Sequence, residues 1–82
     1  MPMNLKILNP DTTIVDRSVD YVQLTMKSGA IGILSGHTPF AGEIVKSYIK
    51  FSFDGKEEKV PLEGGYAVVM PDNVKVFAAE KY

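Results

Sequence analysis

An all-β domain, a flattened sandwich or small barrel of about eight to ten short strands, follows from three observations on this sequence. Apolar and polar residues alternate with period two in several separate stretches, the pattern of strands buried on one face. Turn formers such as Asn9-Pro10-Asp11, Asp54-Gly55 and Pro71-Asp72-Asn73 recur between them, which is the punctuation of an antiparallel fold. No stretch keeps helical periodicity over a useful length.

Each element has its own reason. Residues 3–8 alternate, with Met3, Leu5 and Ile7 on one side, and Asn9-Pro10-Asp11 ends the strand. Residues 12–15 are β-branched and extended, and Asp16, Arg17 and Ser18 read as a solvated bend. Alternation resumes over residues 20–26, with Val22, Leu24 and Met26 sharing a face. After Lys27-Ser28-Gly29, residues 30–34 form a short apolar run, too brief for a helix and expected near the middle of a sheet. Residues 41–46 are read as a strand on the strength of Ile44 and Val45. Residues 48–53 put Ile49, Phe51 and Phe53 on one face, and Asp54-Gly55 then signals a tight hairpin. Its return strand, residues 56–62, carries Pro61, which cannot donate to a ladder and so belongs at an edge. Residues 66–70 are continuously apolar, which predicts burial on both faces. Pro71-Asp72-Asn73 suits a type I turn, and Val74, Val76 and Ala78 alternate along the last strand.

Size and composition narrow the function. With 82 residues the chain is read as one domain, 1–82, with a single core and little room for an enzyme cleft. Nine basic residues against ten acidic ones leave no basic cluster to track a phosphate backbone, so nucleic acid is not an expected partner. The chain has no cysteine, which removes disulfides and thiolate metal sites. No segment reaches the roughly 18 apolar residues of a membrane span, and residues 1–8 lack the pattern of a signal peptide. A soluble, intracellular chain without direct membrane insertion is the expectation.

Catalytic and cofactor chemistry find no support. His37 is the single histidine, and nothing sets a serine beside it as a nucleophile. No cluster offers three zinc ligands, the glycine-rich stretches precede no helix that could hold phosphate, and Glu57 and Glu58 fall on opposite faces of a strand. The chain is therefore expected to be no enzyme, with no catalytic residue, no cofactor, no metal and no small-molecule substrate.

The stretch from Gly29 to Phe40 gathers three glycines, His37 and Pro39. Gly36 permits a positive φ, and Pro39 fixes its own φ while holding Thr38 extended. The result is a preorganised loop of the kind that binding modules use for recognition, although the same geometry suits a plain corner and a lone histidine commonly serves as a structural hydrogen-bonding group.

Two motifs carry a resemblance. Residues 29–39, Gly-Ala-Ile-Gly-Ile-Leu-Ser-Gly-His-Thr-Pro, resemble the G-x-x-G-I-x-P-G-H-x-P signature of the amino-terminal domain of the ATP synthase epsilon subunit, the mitochondrial delta equivalent. Leu62-Glu63-Gly64-Gly65 with Val69, Pro71, Val74, Val76 and Ala78 is similar to its second signature, L-x-G-G-x-x-x-V-x-P-x-x-V-x-V-x-A. The resemblance implies a β-sandwich of the F1 central stalk, peripheral on the cytoplasmic side of the membrane, coupling the gamma subunit to the ring of c subunits without doing chemistry. It implies partner-binding roles for Ser28, Ala30 and Ile31 near the ring and for Gly36, His37, Thr38 and Pro39 near gamma. The chain departs from the pattern at Ser35, where proline is usual, at Ala30, a position often acidic, and at Ser47, often glycine. The family's carboxyl-terminal helical hairpin, with its inhibitory and nucleotide-binding roles, has no counterpart in these residues. A free-standing β-sandwich adaptor for an unrelated protein partner is the alternative reading.

Overall fold

The computed structural model describes residues 3–79, and all of its regular structure is β. Nine strands run in chain order: β1 (Met3–Leu8), β2 (Thr13–Val19), β3 (Tyr21–Met26), β4 (Gly29–Ile33), β5 (Phe40–Ile44), β6 (Ser47–Phe53), β7 (Lys56–Leu62), β8 (Gly65–Met70) and β9 (Asn73–Ala78). They form a five-stranded sheet, ordered β2-β1-β9-β8-β5, and a four-stranded sheet, ordered β4-β3-β6-β7. The two sheets face each other as a sandwich.

The core lies between the sheets and comes from the alternation. Leu5, Ile7, Val22, Leu24, Ile33, Ile49, Val69, Val74 and Val76 are fully buried, and no charged or polar side chain is buried with them among the described residues. Burying a side chain of this size contributes about 1.5–3 kcal/mol, so the inward faces supply the folding energy.

Local sequence explains the hairpins. Asp54 and Gly55 take φ of 50° and 74°, the paired positive values of the turn whose twist matches its strands, and Phe53 pairs with Lys56 across it. Met70 pairs with Asn73 around Pro71-Asp72, and neither turn residue has a positive φ, as a type I turn requires. The Asn9 side-chain oxygen accepts from the amides of Asp11 and Thr12, both at 2.8 Å, which turns the chain out of β1.

Pairing distant in sequence closes the five-stranded sheet. β1 runs parallel to β9, with Leu5 beside Val74 and Ile7 beside Val76. That contact joins the first strand to the last.

Three expectations need correction. Residues 16–18 are not a bend: Asp16, Arg17 and Ser18 pair with Lys6, Leu5 and Asn4, because the partner strand supplies the hydrogen bonds that a solvated bend would take from water. The extra residue Ile14 is absorbed by an irregularity at Ile7 and Leu8. The run after Ser28 lies at the edge of its sheet and not in the middle; it ends at Ile33, and Leu34 is 62% exposed. Finally, β8 is buried on one face only. Ala67 and Val69 point inward, whereas Tyr66 and Met70 are exposed on the outer face.

Candidate functional site

The loop that follows β4 carries the chain from the four-stranded sheet into the five-stranded one. Its shape is fixed by backbone hydrogen bonds. The His37 amide donates to the Leu34 carbonyl at 3.1 Å, and the Gly36 amide donates to the Pro71 carbonyl at 2.7 Å, which ties the loop to the β8–β9 turn. Gly36 has a φ of +89°, a value glycine reaches without steric cost.

His37 is half-buried in this loop. Its Nδ1 lies 2.8 Å from the Thr38 carbonyl oxygen, and since a carbonyl can only accept, Nδ1 is the donor in this contact. The ring meets Phe40 edge-on, with centroids 5.4 Å apart and planes at 60°, a favourable aromatic arrangement. Thr38 and Pro39 are exposed beside it.

An apolar band adjoins the loop on the outer face of the five-stranded sheet. Tyr66 pairs with Phe77 across β8 and β9, and Phe77 pairs with Leu8 across β9 and β1. Val68 and Met70 continue the band along β8, toward the Pro71 carbonyl that anchors Gly36. Tyr66, Met70 and Phe77 are 45%, 42% and 44% exposed. Charged residues border these side chains on the same face: Glu43 lies beside Tyr66 and Lys75 beside Val68. The sequence signal was the continuous apolar run of residues 66–70, which the expectation of two-sided burial had assigned to the interior.

The seven residues that sequence singled out do not form one patch. Gly36, His37, Thr38 and Pro39 stand together, but Ser28 lies in the β3–β4 turn at the other end of β4. Six residue steps separate Ser28 from Leu34, roughly 20 Å at about 3.3 Å each. Ala30 and Ile31 sit between the two ends and point to opposite faces, Ala30 exposed and Ile31 packed against the core.

Among the described residues no group of three His, Cys, Asp or Glu could hold a metal. An open depression of 240 Å³ on the outer face of the four-stranded sheet is lined by Gln23, Thr25, Ser47, Tyr48, Lys50 and Lys59. Neither a carboxylate nor a histidine borders it.

The two facing sheets define a β-sandwich module. The chain belongs to the family described as the ATP synthase Delta/Epsilon chain β-sandwich domain, which matches residues 2–81. It is 32% identical over 76 residues to the ATP synthase epsilon chain of Bacillus subtilis, covering 93% of this chain and 58% of that protein. Against the epsilon chain of Bacillus licheniformis the figures are also 32%, 93% and 58%. The chain thus spans under two thirds of these relatives' length. A chain in the Euglena gracilis mitochondrial ATP synthase structure, OSCP/F1/c-ring in rotational state 1, superposes with a TM-score of 0.89 at 21% identity, over 96% of this chain and 51% of that one. A chain of the Tetrahymena thermophila mitochondrial ATP synthase central stalk/c-ring gives 0.79 at 10% identity, over 98% and 65%. At these identities the likeness is one of fold.

Proposed function

We propose that this chain is the β-sandwich domain of an epsilon-type subunit in the central stalk of an ion-translocating F-type ATP synthase. It does no chemistry. It seats the gamma subunit on the outer apolar band and on the loop Gly36-His37-Thr38-Pro39, and it meets the c ring beyond the opposite end of β4, at the turn around Ser28. It works at the membrane periphery, in the F1 sector on the cytoplasmic side.

The observation that carries this reading is the band of exposed Tyr66, Met70 and Phe77 with half-buried Leu8 and Val68, on a domain that belongs to the delta/epsilon family. A rotor component must hold its partner through many turns, and a sheet whose backbone is already paired loses little backbone entropy on docking. The free-standing adaptor has no observation of its own in its favour.

Co-expression with the gamma and c subunits of the same enzyme tests the reading. The chain is expected to co-elute with a gamma–c-ring complex, and its elution as a free 9.0 kDa protein in the presence of both would contradict it.

A further inference from the structure

Among the described residues four strands are edges: β2 and β5 in one sheet, β4 and β7 in the other. An exposed edge is a row of unpaired N–H and C=O groups, and folded proteins guard such rows with charges, proline or inward-pointing charged residues. Three of these four edges are guarded. β7 carries Lys56, Glu57, Glu58, Lys59 and Pro61, β5 carries Glu43, and β2 carries Asp16 with Arg17 turned toward the other sheet. β4, Gly-Ala-Ile-Gly-Ile, has neither charge nor proline.

Its backbone geometry fixes which groups are open. β3 and β4 join through two residues, with Met26 opposite Gly29, so the hydrogen-bonded pairs of this antiparallel ladder are Met26–Gly29, Leu24–Ile31 and Val22–Ile33. Thr25 points away from β4, and its carbonyl accepts from the Val45 amide at 3.1 Å. Ala30, opposite Thr25, and Gly32, opposite Gln23, therefore direct both of their backbone groups to the free edge. On the outer face Ala30 carries only a methyl group and Gly32 lies under the Tyr21 ring, so the outward backbone groups of both residues stay in the plane of the sheet, where a further strand would approach.

We propose that β4 is a strand-addition edge, on which an extended, uncharged segment of gamma pairs with the backbone of Ala30 and Gly32 as a fifth strand. The assignment rests on the stalk reading above. Addition places alternate residues of that segment over the half-buried Ile31 and extends the core. Charge argues for a neutral occupant, since Lys27 is the only Lys, Arg, Asp or Glu between Asp20 and Glu43. Area argues against a second copy of this chain: one five-residue edge buries on the order of a few hundred Å², far below the ~1,200 Å² of a stable interface. The occupant must be held elsewhere as well, and a partner covering residues 36–39 already lies at the end of β4.

The test compares the wild-type chain with Ala30→Pro and Ala30→Lys, using the cognate gamma subunit as probe. Proline is tolerated where the N–H faces solvent, but it removes a donor and blocks the edge; lysine leaves the ladder intact and installs a guard. Both variants are expected to unfold with the wild-type midpoint and to bind gamma about tenfold or more weakly. In the wild-type complex, hydrogen exchange at the Ala30 and Gly32 amides should slow. Wild-type affinity in Ala30→Lys, or unchanged exchange at both amides in a complex that forms, would overturn strand addition and leave the stalk reading standing. If the wild-type chain does not bind gamma at all, both fall together. Concentration-dependent dimerisation through the Ala30 and Gly32 amides would replace gamma with a second copy and contradict the proposal.

Discussion

The Arg17 guanidinium lies over the Phe53 ring, its central carbon 3.3 Å from the ring centroid, and so links the outermost strand of one sheet to a strand of the other. Arg17 pairs with Leu5 and therefore points to the inner side of β2. There its Nε donates to the Ser18 carbonyl at 3.3 Å, and Phe53 in turn stacks on the buried Phe51 at 6.1 Å. The contact closes the sandwich along this margin while its charge keeps the edge from pairing with another chain.

Removing the guanidinium should weaken the closure. Arg17→Ala is expected to lower stability by about 0.5–1 kcal/mol, the range for an exposed cation over an aromatic ring, and Phe53→Leu should abolish any further effect of Arg17→Ala. Urea denaturation of the two single variants and the double variant measures the coupling; additive losses would rule it out.

The glycines differ in what surrounds them. A Cβ on Gly65 would press on the Phe77 carbonyl oxygen and come within 3.2 Å of the Ala78 Cα, so backbone in the next strand would have to shift. On Gly32 the nearest atom is the Tyr21 hydroxyl oxygen, at 2.6 Å, the far end of a side chain that can swing outward. Gly65→Ala should cost about 1–3 kcal/mol and Gly32→Ala less than half as much, by thermal unfolding.

Lys50 and Lys59 face each other across β6 and β7, and the ion pair seen among the described residues is elsewhere, between Lys46 and Glu63 at 3.5 Å. Directly opposed like charges destabilise a sheet. Lys59→Glu is expected to raise stability by about 0.2–1 kcal/mol, with the gain shrinking as salt is added.

His37 and Ile33 separate binding from folding. Ile33 is fully buried, and Ile33→Ala should cost about 2–5 kcal/mol. His37→Ala should cost less than that while weakening association with gamma. If chemical denaturation shows His37→Ala unfolding the domain while each folded molecule still binds gamma as before, the histidine is structural.

Much of this architecture was legible locally. The alternation of Met3, Leu5 and Ile7, the Asp54-Gly55 turn and the edge position implied by Pro61 all depend on neighbours a few residues away. The parallel pairing of Leu5 with Val74 was not legible, because it joins the ends of the chain and leaves no local pattern. Tyr66 and Met70 misled for a different reason. An apolar side chain reads as interior whether the core or a partner covers it, so the continuous run on β8 looked like two-sided burial. The loop at Gly36 and Pro39 announced its rigidity through residue type, whereas its anchor, the Pro71 carbonyl 2.7 Å from the Gly36 amide, comes from 35 positions further along the chain.

The most direct measurement is a calorimetric titration of the cognate gamma subunit into the wild-type chain and into a Tyr66→Ser/Phe77→Ser double variant. Both substitutions lie on the exposed outer face and leave the core of Ala67, Val69, Val74 and Val76 untouched. The double variant is expected to unfold within a few degrees of the wild type and to bind gamma at least about tenfold more weakly, a loss of about 1.4 kcal/mol or more. Equal affinity in the two proteins would contradict the assignment of this face to the partner.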